Sequence, residues 1–331
     1  FTSATDNYNV AVGFSAGASV TTGTNNTLIG GLAGDAITTA SFNNALGYAA
    51  LTTNTTGTKN NAMGAYALYW NTGSSNVAMG DNALANNSTA SNNTAVGFES
   101  LKANTTGTNN TAVGKGALDA NTTADNNTAV GSSALTANTT GTDNTAVGMN
   151  SARAITTGGQ NVALGKDSLY SLTTGGYNIG IGYNAGASVT TGTNNTLIGG
   201  LAGDSITTGD DNVALGYQAL GVNTTGINNT AVGALALDAN ISSSNSTALG
   251  KGALTLSTAG QNTALGYAAL DTVVTGTYNI GVGYNAQATS SSVSGQCTLG
   301  DGQISNLRCN DTSISALSDS RDKTDVIDSP Y

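Results

Sequence analysis

The sequence predicts an all-β fold: a parallel β-roll or β-solenoid of 17-residue repeats. Three observations carry that prediction. Gly97, Gly114, Gly131, Gly148, Gly165 and Gly182 follow one another every 17 residues, and the series runs from Gly13 to Gly300 as 18 marks in one register. Each glycine closes a short run of the Asn-Thr-Ala-Val-Gly kind, whose β-branched residues suit a strand. Each run is followed by Asn, Thr and Gly in turn-forming order. A fixed period this short means stacked coils, and residues this rich in Asn, Thr and Gly exclude helix interiors.

Taken in order, residues 1–8 lead into the first coil, and Tyr8–Gly13 opens the repeats. Within a coil the Asn-Thr-Ala-Val-Gly run is one strand. The small residue and leucine after it, as in Ala117-Leu118, Ala134-Leu135 and Ala219-Leu220, read as a second strand or arm. Asn104–Asn109 and Asn138–Asn144 then form the turn, where Gly and Asn accept left-handed backbone. Two short strands and two turns per coil, stacked at roughly 4.8 Å, predict a rod of roughly 85 Å. Two steps are 16 residues long, Gly64 to Gly80 and Gly250 to Gly266. Both lose their residue in the turn, at Asn71–Gly73 and Ser257–Gly260. The block Gly17–Asp35 recurs unchanged at Gly186–Asp204, which points to block duplication. Around Tyr66, Tyr69 and Trp70 the sequence turns aromatic where the period shortens. After Gly300 the period is lost, and residues 301–331 hold six acidic and three basic residues. The domains are therefore a repeat roll over 1–300, about 18 coils, and a junction over 301–331.

Composition narrows the function. Charged residues are 8% of the chain, Glu99 is its one glutamate and histidine is absent. A net charge of −10 disfavours nucleic acid, whose binders need basic stripes. No apolar run reaches the 18 or more residues of a membrane span, so membrane insertion is not expected. Phe1 is no natural start and no signal peptide is present, so the sequence reads as a fragment or processed product. Cys297 and Cys309 read either as a disulfide or, the plainer option, as two small buried thiols. Two thiols without histidine make no metal site, the calcium-roll pattern is absent, and no cofactor is expected.

One coil carries little apolar matter. Burying a Leu or Val contributes roughly 1.5–3 kcal/mol, against roughly 1–2 kcal/mol of backbone entropy for every residue ordered. A single thin roll is marginal, and lateral association of chains is expected. The residue after each marker glycine varies: Phe14, Tyr48, Phe98, Tyr183, Tyr217, Tyr267 and Tyr284 share the position with Lys115, Lys166 and Lys251. Facing solvent, these rings would form an interrupted ladder suited to glycans, with Tyr48, Phe98, Tyr183, Tyr217, Tyr267 and Tyr284 the candidates. The competing reading makes them cover for the flank of the roll or for a seam between chains.

The Asn-Thr-Ala-Val-Gly runs resemble the Asn-Ser-x-Ala-Ile-Gly head repeats of trimeric autotransporter adhesins, over roughly residues 9–300 in pattern though not in period. That family builds left-handed parallel β-rolls with three chains to a head, so the resemblance implies a homotrimer. Further on, Ser-Asp-Ser-Arg-Asp-Lys at Ser318–Lys323 and the following Thr-Asp-Val-Ile-Asp-Ser-Pro-Tyr resemble a different junction. It is the one between a phage tail fibre or tailspike and its C-terminal intramolecular chaperone, peptidase family S74. The resemblance implies self-cleavage before Ser318, with Ser318 as nucleophile and Lys323 as its base. The plainer reading of the pair is a linker with ordinary solvated charges.

Together the resemblances imply a structural, host-receptor-binding fibre of a phage tail, located on the virion. Its partners would be other copies, other tail proteins and a host cell-surface glycan or protein. A bacterial surface adhesin is the first alternative. An ice-binding solenoid is the second, since the threonine pairs Thr105-Thr106, Thr122-Thr123 and Thr139-Thr140 stack from coil to coil. An enzyme is not expected, because the repeats hold no catalytic cluster.

Overall fold

The computed structural model describes residues 7–304. Eighteen strands of three residues, β1 (Val10–Val12) to β18 (Cys297–Leu299), form one parallel sheet in which each strand pairs with the next along the chain. At about 4.8 Å a step the stack is roughly 80 Å long. Register holds across both short steps: Ala62 pairs with Ala78 and Ala248 with Ala264, so the missing residue is absorbed in the turn as the sequence implies.

The marker glycines line up because nothing else fits there. Gly114 has φ +136°, and a Cβ on it would lie 2.5 Å from the carbonyl oxygen of Gly131 in the next coil. The chain passes too close to its neighbour for any side chain.

The arm after the glycine is not a second strand. It is a succession of turns with left-handed residues at alternate positions, Gly116 (φ 62°) and Leu118 (φ 51°). Ala117 N–H bonds back to Gly114 O at 3.3 Å and Asn121 N–H to Leu118 O at 3.1 Å. Alternating handedness rolls the backbone where a strand would extend it. The arm still stacks: Gly116 N–H reaches Phe98 O in the coil before and Leu118 N–H reaches Ala134 O in the coil after, both at 3.0 Å. A left-handed leucine costs about 1–2 kcal/mol, and burying its side chain returns about 1.5–3 kcal/mol. Leu118 is fully buried, as is its counterpart Leu135.

The interior is narrow. Ala112 enters from the strand, Ala117 and Leu118 from the arm, and Asn110 and Asn121 from the two corners, all buried. The asparagines are the reason the corners hold. Asn110 Oδ1 accepts the Asn127 N–H of the next coil at 2.9 Å, while its Nδ2 donates to Ala124 O at 2.8 Å. This column runs from Asn26 to Asn279, with Ser246 its one substitute. Loss of one such partner would strand a buried polar group, at about 1–3 kcal/mol. The other corner alternates by blocks: Asn54 to Asn138 are asparagines, Ile155, Leu172, Val189 and Ile206 are aliphatic, and Asn223 and Asn240 are asparagines again.

Candidate functional site

Strand geometry decides what the surface displays. Side chains alternate along a strand, and the central residue, usually alanine, faces the core. The first and third residues therefore face outward. Valine, counted in the sequence as part of the coil's apolar interior, is on the surface. Among the eighteen described strands the third residue is always Val, Ile, Leu or Met, and neither outward row contains a charged residue. Val12 is 58% exposed and Leu46 46%.

Two rows of rings border this face. Phe14, Tyr48, Phe98, Tyr183, Tyr217, Tyr267 and Tyr284, one residue past the marker glycine, are all exposed on the single chain, where both a glycan ladder and a seam between chains would have them. Tyr267 and Tyr284 stack in adjacent coils, centroids 5.3 Å apart and planes within 10°. Tyr183 lies 5.2 Å under the ammonium of Lys166. Tyr48 meets Tyr66 edge-on at 5.5 Å, and the cluster continues through Tyr69 to Trp70 around the corner of the coil. Phe98, Tyr183 and Tyr217 have no ring in the next coil on their row, so the ladder is continuous only at Tyr267–Tyr284. The second border escapes the sequence reading: Tyr8, Phe42, Tyr177 and Tyr278 are exposed on the other side of the strands. Each stands five residues before a marker glycine, a spacing that would have revealed it.

A polar hollow of about 410 Å³ lies near the corner that follows the glycine row. Asn150, Asp167 and Asn184 stack in successive coils beside Tyr170 and Ser188. Asn150 Nδ2 donates to Asp167 Oδ1 at 3.0 Å, and Lys166 Nζ pairs with Asp167 Oδ2 at 2.5 Å. Burial pushes the Asp167 carboxyl up, but the bonds from Lys166 and Asn150 outweigh it and hold the pKa below the ordinary value. Arg153 donates to Tyr170 Oη at 2.8 Å and lies 5.6 Å from that ring's centre. The hollow thus brings a ring beside amide, carboxylate and hydroxyl groups. Sequence reasoning missed this site because its residues come from three coils.

The threonine pairs of the turn are differently occupied. Thr105 Oγ1 donates to Thr122 O at 2.9 Å, and Thr139 Oγ1 to Thr156 O at 3.0 Å, so these hydroxyls bind coil to coil. Cys297 is exposed on β18, which corrects the expectation of a buried thiol: it occupies an outward strand position. Cys309, Ser318 and Lys323 lie outside the described residues. Among the described residues no three His, Cys, Asp or Glu side chains gather into a metal site, and no helix is long and apolar enough to cross a membrane.

No protein-family model matches the chain, and no curated protein matches it.

Proposed function

We propose that the chain is a structural, receptor-binding segment of a phage tail fibre, a homotrimeric rod that holds a host-surface glycan against its aromatic edges. The observation that carries this reading is the recurrence of exposed rings at one backbone position along a rigid stack, with Tyr267 and Tyr284 in parallel. A sugar ring stacks on such a face, and the hollow beside Tyr170 supplies hydrogen-bonding groups of the kind its hydroxyls use. The reading makes the repeats a binder with no catalytic role. Self-cleavage, assigned by resemblance to Ser318 and Lys323, would belong to the junction and mature the fibre.

The test is binding of the purified chain to an array of bacterial surface polysaccharides. Wild type should bind a defined subset. The Tyr267→Ala/Tyr284→Ala variant or Tyr170→Ala should lose binding about tenfold or more at unchanged circular dichroism. A folded wild type that binds no polysaccharide, or binding indifferent to all three rings, would overturn the reading. A bacterial surface adhesin would use the same rod and the same rings, with a membrane anchor downstream in place of the chaperone.

A second reading rests on the strand face. Thr94, Thr111, Thr128 and Thr145 occupy four successive rungs beside a valine row, a flat Thr/Val array of the kind that could order water as ice does. Thermal hysteresis in a nanolitre osmometer would support that alternative.

A further inference from the structure

The outward aliphatic row runs unbroken over all eighteen described strands, and a soluble monomer rarely leaves such a strip open. With a stack of roughly 80 Å and two rows about 7 Å apart, the strip and its margins offer roughly 800 Å². That is about the area each partner gives to a stable, specific interface. Leu215, Leu249 and Leu265 on it are each more than 40% exposed. Thr27, Ile29, Leu46 and Met63 line an apolar hollow of about 200 Å³ on the same face, room for a side chain from outside.

We propose that this strand face is the seam along which copies of this chain join. A second copy is the occupant because the surface is periodic. Only a partner repeating at the same rise over the same length can meet every rung, and another copy does so by construction. Both outward rows lack charge, so the net negative charge of the chain does not oppose the contact there. The acidic residues lie off these two rows. Asp35, Asp119, Asp204 and Asp238 are on the arm, while Asp143 and Asp211 stand in the Tyr8 row and Asp81 and Asp301 in the Tyr48 row, at the margins of the contact. Copies set parallel about a threefold axis would turn their strand faces inward, leaving the aromatic borders at the margins of the contact. The seam deepens the self-association in the fibre reading and does not depend on glycan recognition.

Sedimentation velocity of the purified chain decides it. Val113→Lys, Val130→Lys and Val147→Lys together put three charges on successive rungs without touching the interior. The control, Thr106→Lys, Thr123→Lys and Thr140→Lys, puts the same charges on the exposed turn. Wild type and control should sediment as one multimer and the valine variant at the mass of one chain with unchanged circular dichroism. A wild type at single-chain mass, or a valine variant that keeps the multimer mass, would overturn the seam. A monomer whose thermal hysteresis vanishes with the valine changes would give the face to ice instead. Should the valine variant fail to fold, cysteine cross-linking replaces it, in a Cys297→Ser/Cys309→Ser background. Val130→Cys should then link to its own copy on oxidation and Thr123→Cys should not, the reverse pattern refuting the proposal. Polysaccharide binding is read separately, so loss of either idea leaves the other measurable.

Discussion

Leu28 and Ile37 fill the space beside Gly34: a Cβ on Gly34 would lie 2.8 Å from Leu28 Cδ2 and 2.8 Å from Ile37 Cδ1. In most coils the arm position carries leucine and the strand contributes alanine, as with Leu118 and Ala112. Here the large residue has changed sides. Gly17, one coil earlier, faces Leu28 Cδ1 at the same 2.8 Å, and Leu197 with Gly203 repeats the arrangement in the duplicated block. The backbone itself does not demand glycine, since Leu51 holds φ 55° at the equivalent position, the value Gly34 has.

The two sites should therefore be coupled. Leu28→Ala should cost about 2–5 kcal/mol through the cavity it leaves. Gly34→Ala should destabilise alone, but cost less in the Leu28→Ala background, where Ile37 can also turn its methyl group into the vacated volume. A coupling of about 0.5–3 kcal/mol in urea unfolding is expected, and additive losses would contradict the packing account.

Acid should stabilise the arm. Burial raises the Asp204 carboxyl above its ordinary value, with the charge of Asp238 two coils away adding to it, and burial raises Asp238 as well. A carboxyl raised in the folded state contributes stability that is full below the unfolded value of 3.8 and is lost as pH rises through the folded one. Wild type should therefore melt higher near pH 4 than at pH 7. Asp204→Asn should raise the melting temperature at pH 7 and leave it unchanged near pH 3. Equal effects at both pH values would mean that the charge is not responsible.

The glycine period and the turn chemistry were legible in the sequence, because Gly114 is held by a backbone demand that no other residue meets and Asn110 by one that, in its column, only Ser246 meets in place of asparagine. The site was less so. Thr-Ala-Val reads equally as a strand burying valine or alanine, and only the closeness of the arm, with Leu118 filling the interior, turns Val113 outward. The arm misled for a related reason. Leucine is a poor left-handed residue, so nothing in Ala117-Leu118 announces a turn until stacking compensates for the strain. The hollow at Asp167 depends on residues 17 apart sharing an edge, which the period implies but composition hides.

The buried corner column contains one break that can be tested directly. Asn138 Nδ2 donates to Asn121 Oδ1 and to Gly141 O, each at 3.0 Å, yet its own Oδ1 is buried and accepts nothing. The next coil offers Ile155 where every earlier coil from Asn54 offers asparagine, so the ladder ends on an open acceptor. Ile155→Asn would bring an amide against that oxygen and against Gly158 O, as Asn138 meets Gly141 O. Its own carbonyl would then face Leu172, so the open acceptor moves by one coil while the new donor is satisfied. Leu172→Asn gains the turn carbonyl alone and leaves Asn138 as it was. Both changes give up apolar burial, but Ile155→Asn should cost less by about 1–3 kcal/mol, the scale of one buried polar group left unpaired. Urea unfolding of the two variants side by side measures the difference. An equal or larger loss for Ile155→Asn would show that the open oxygen of Asn138 costs the rod nothing.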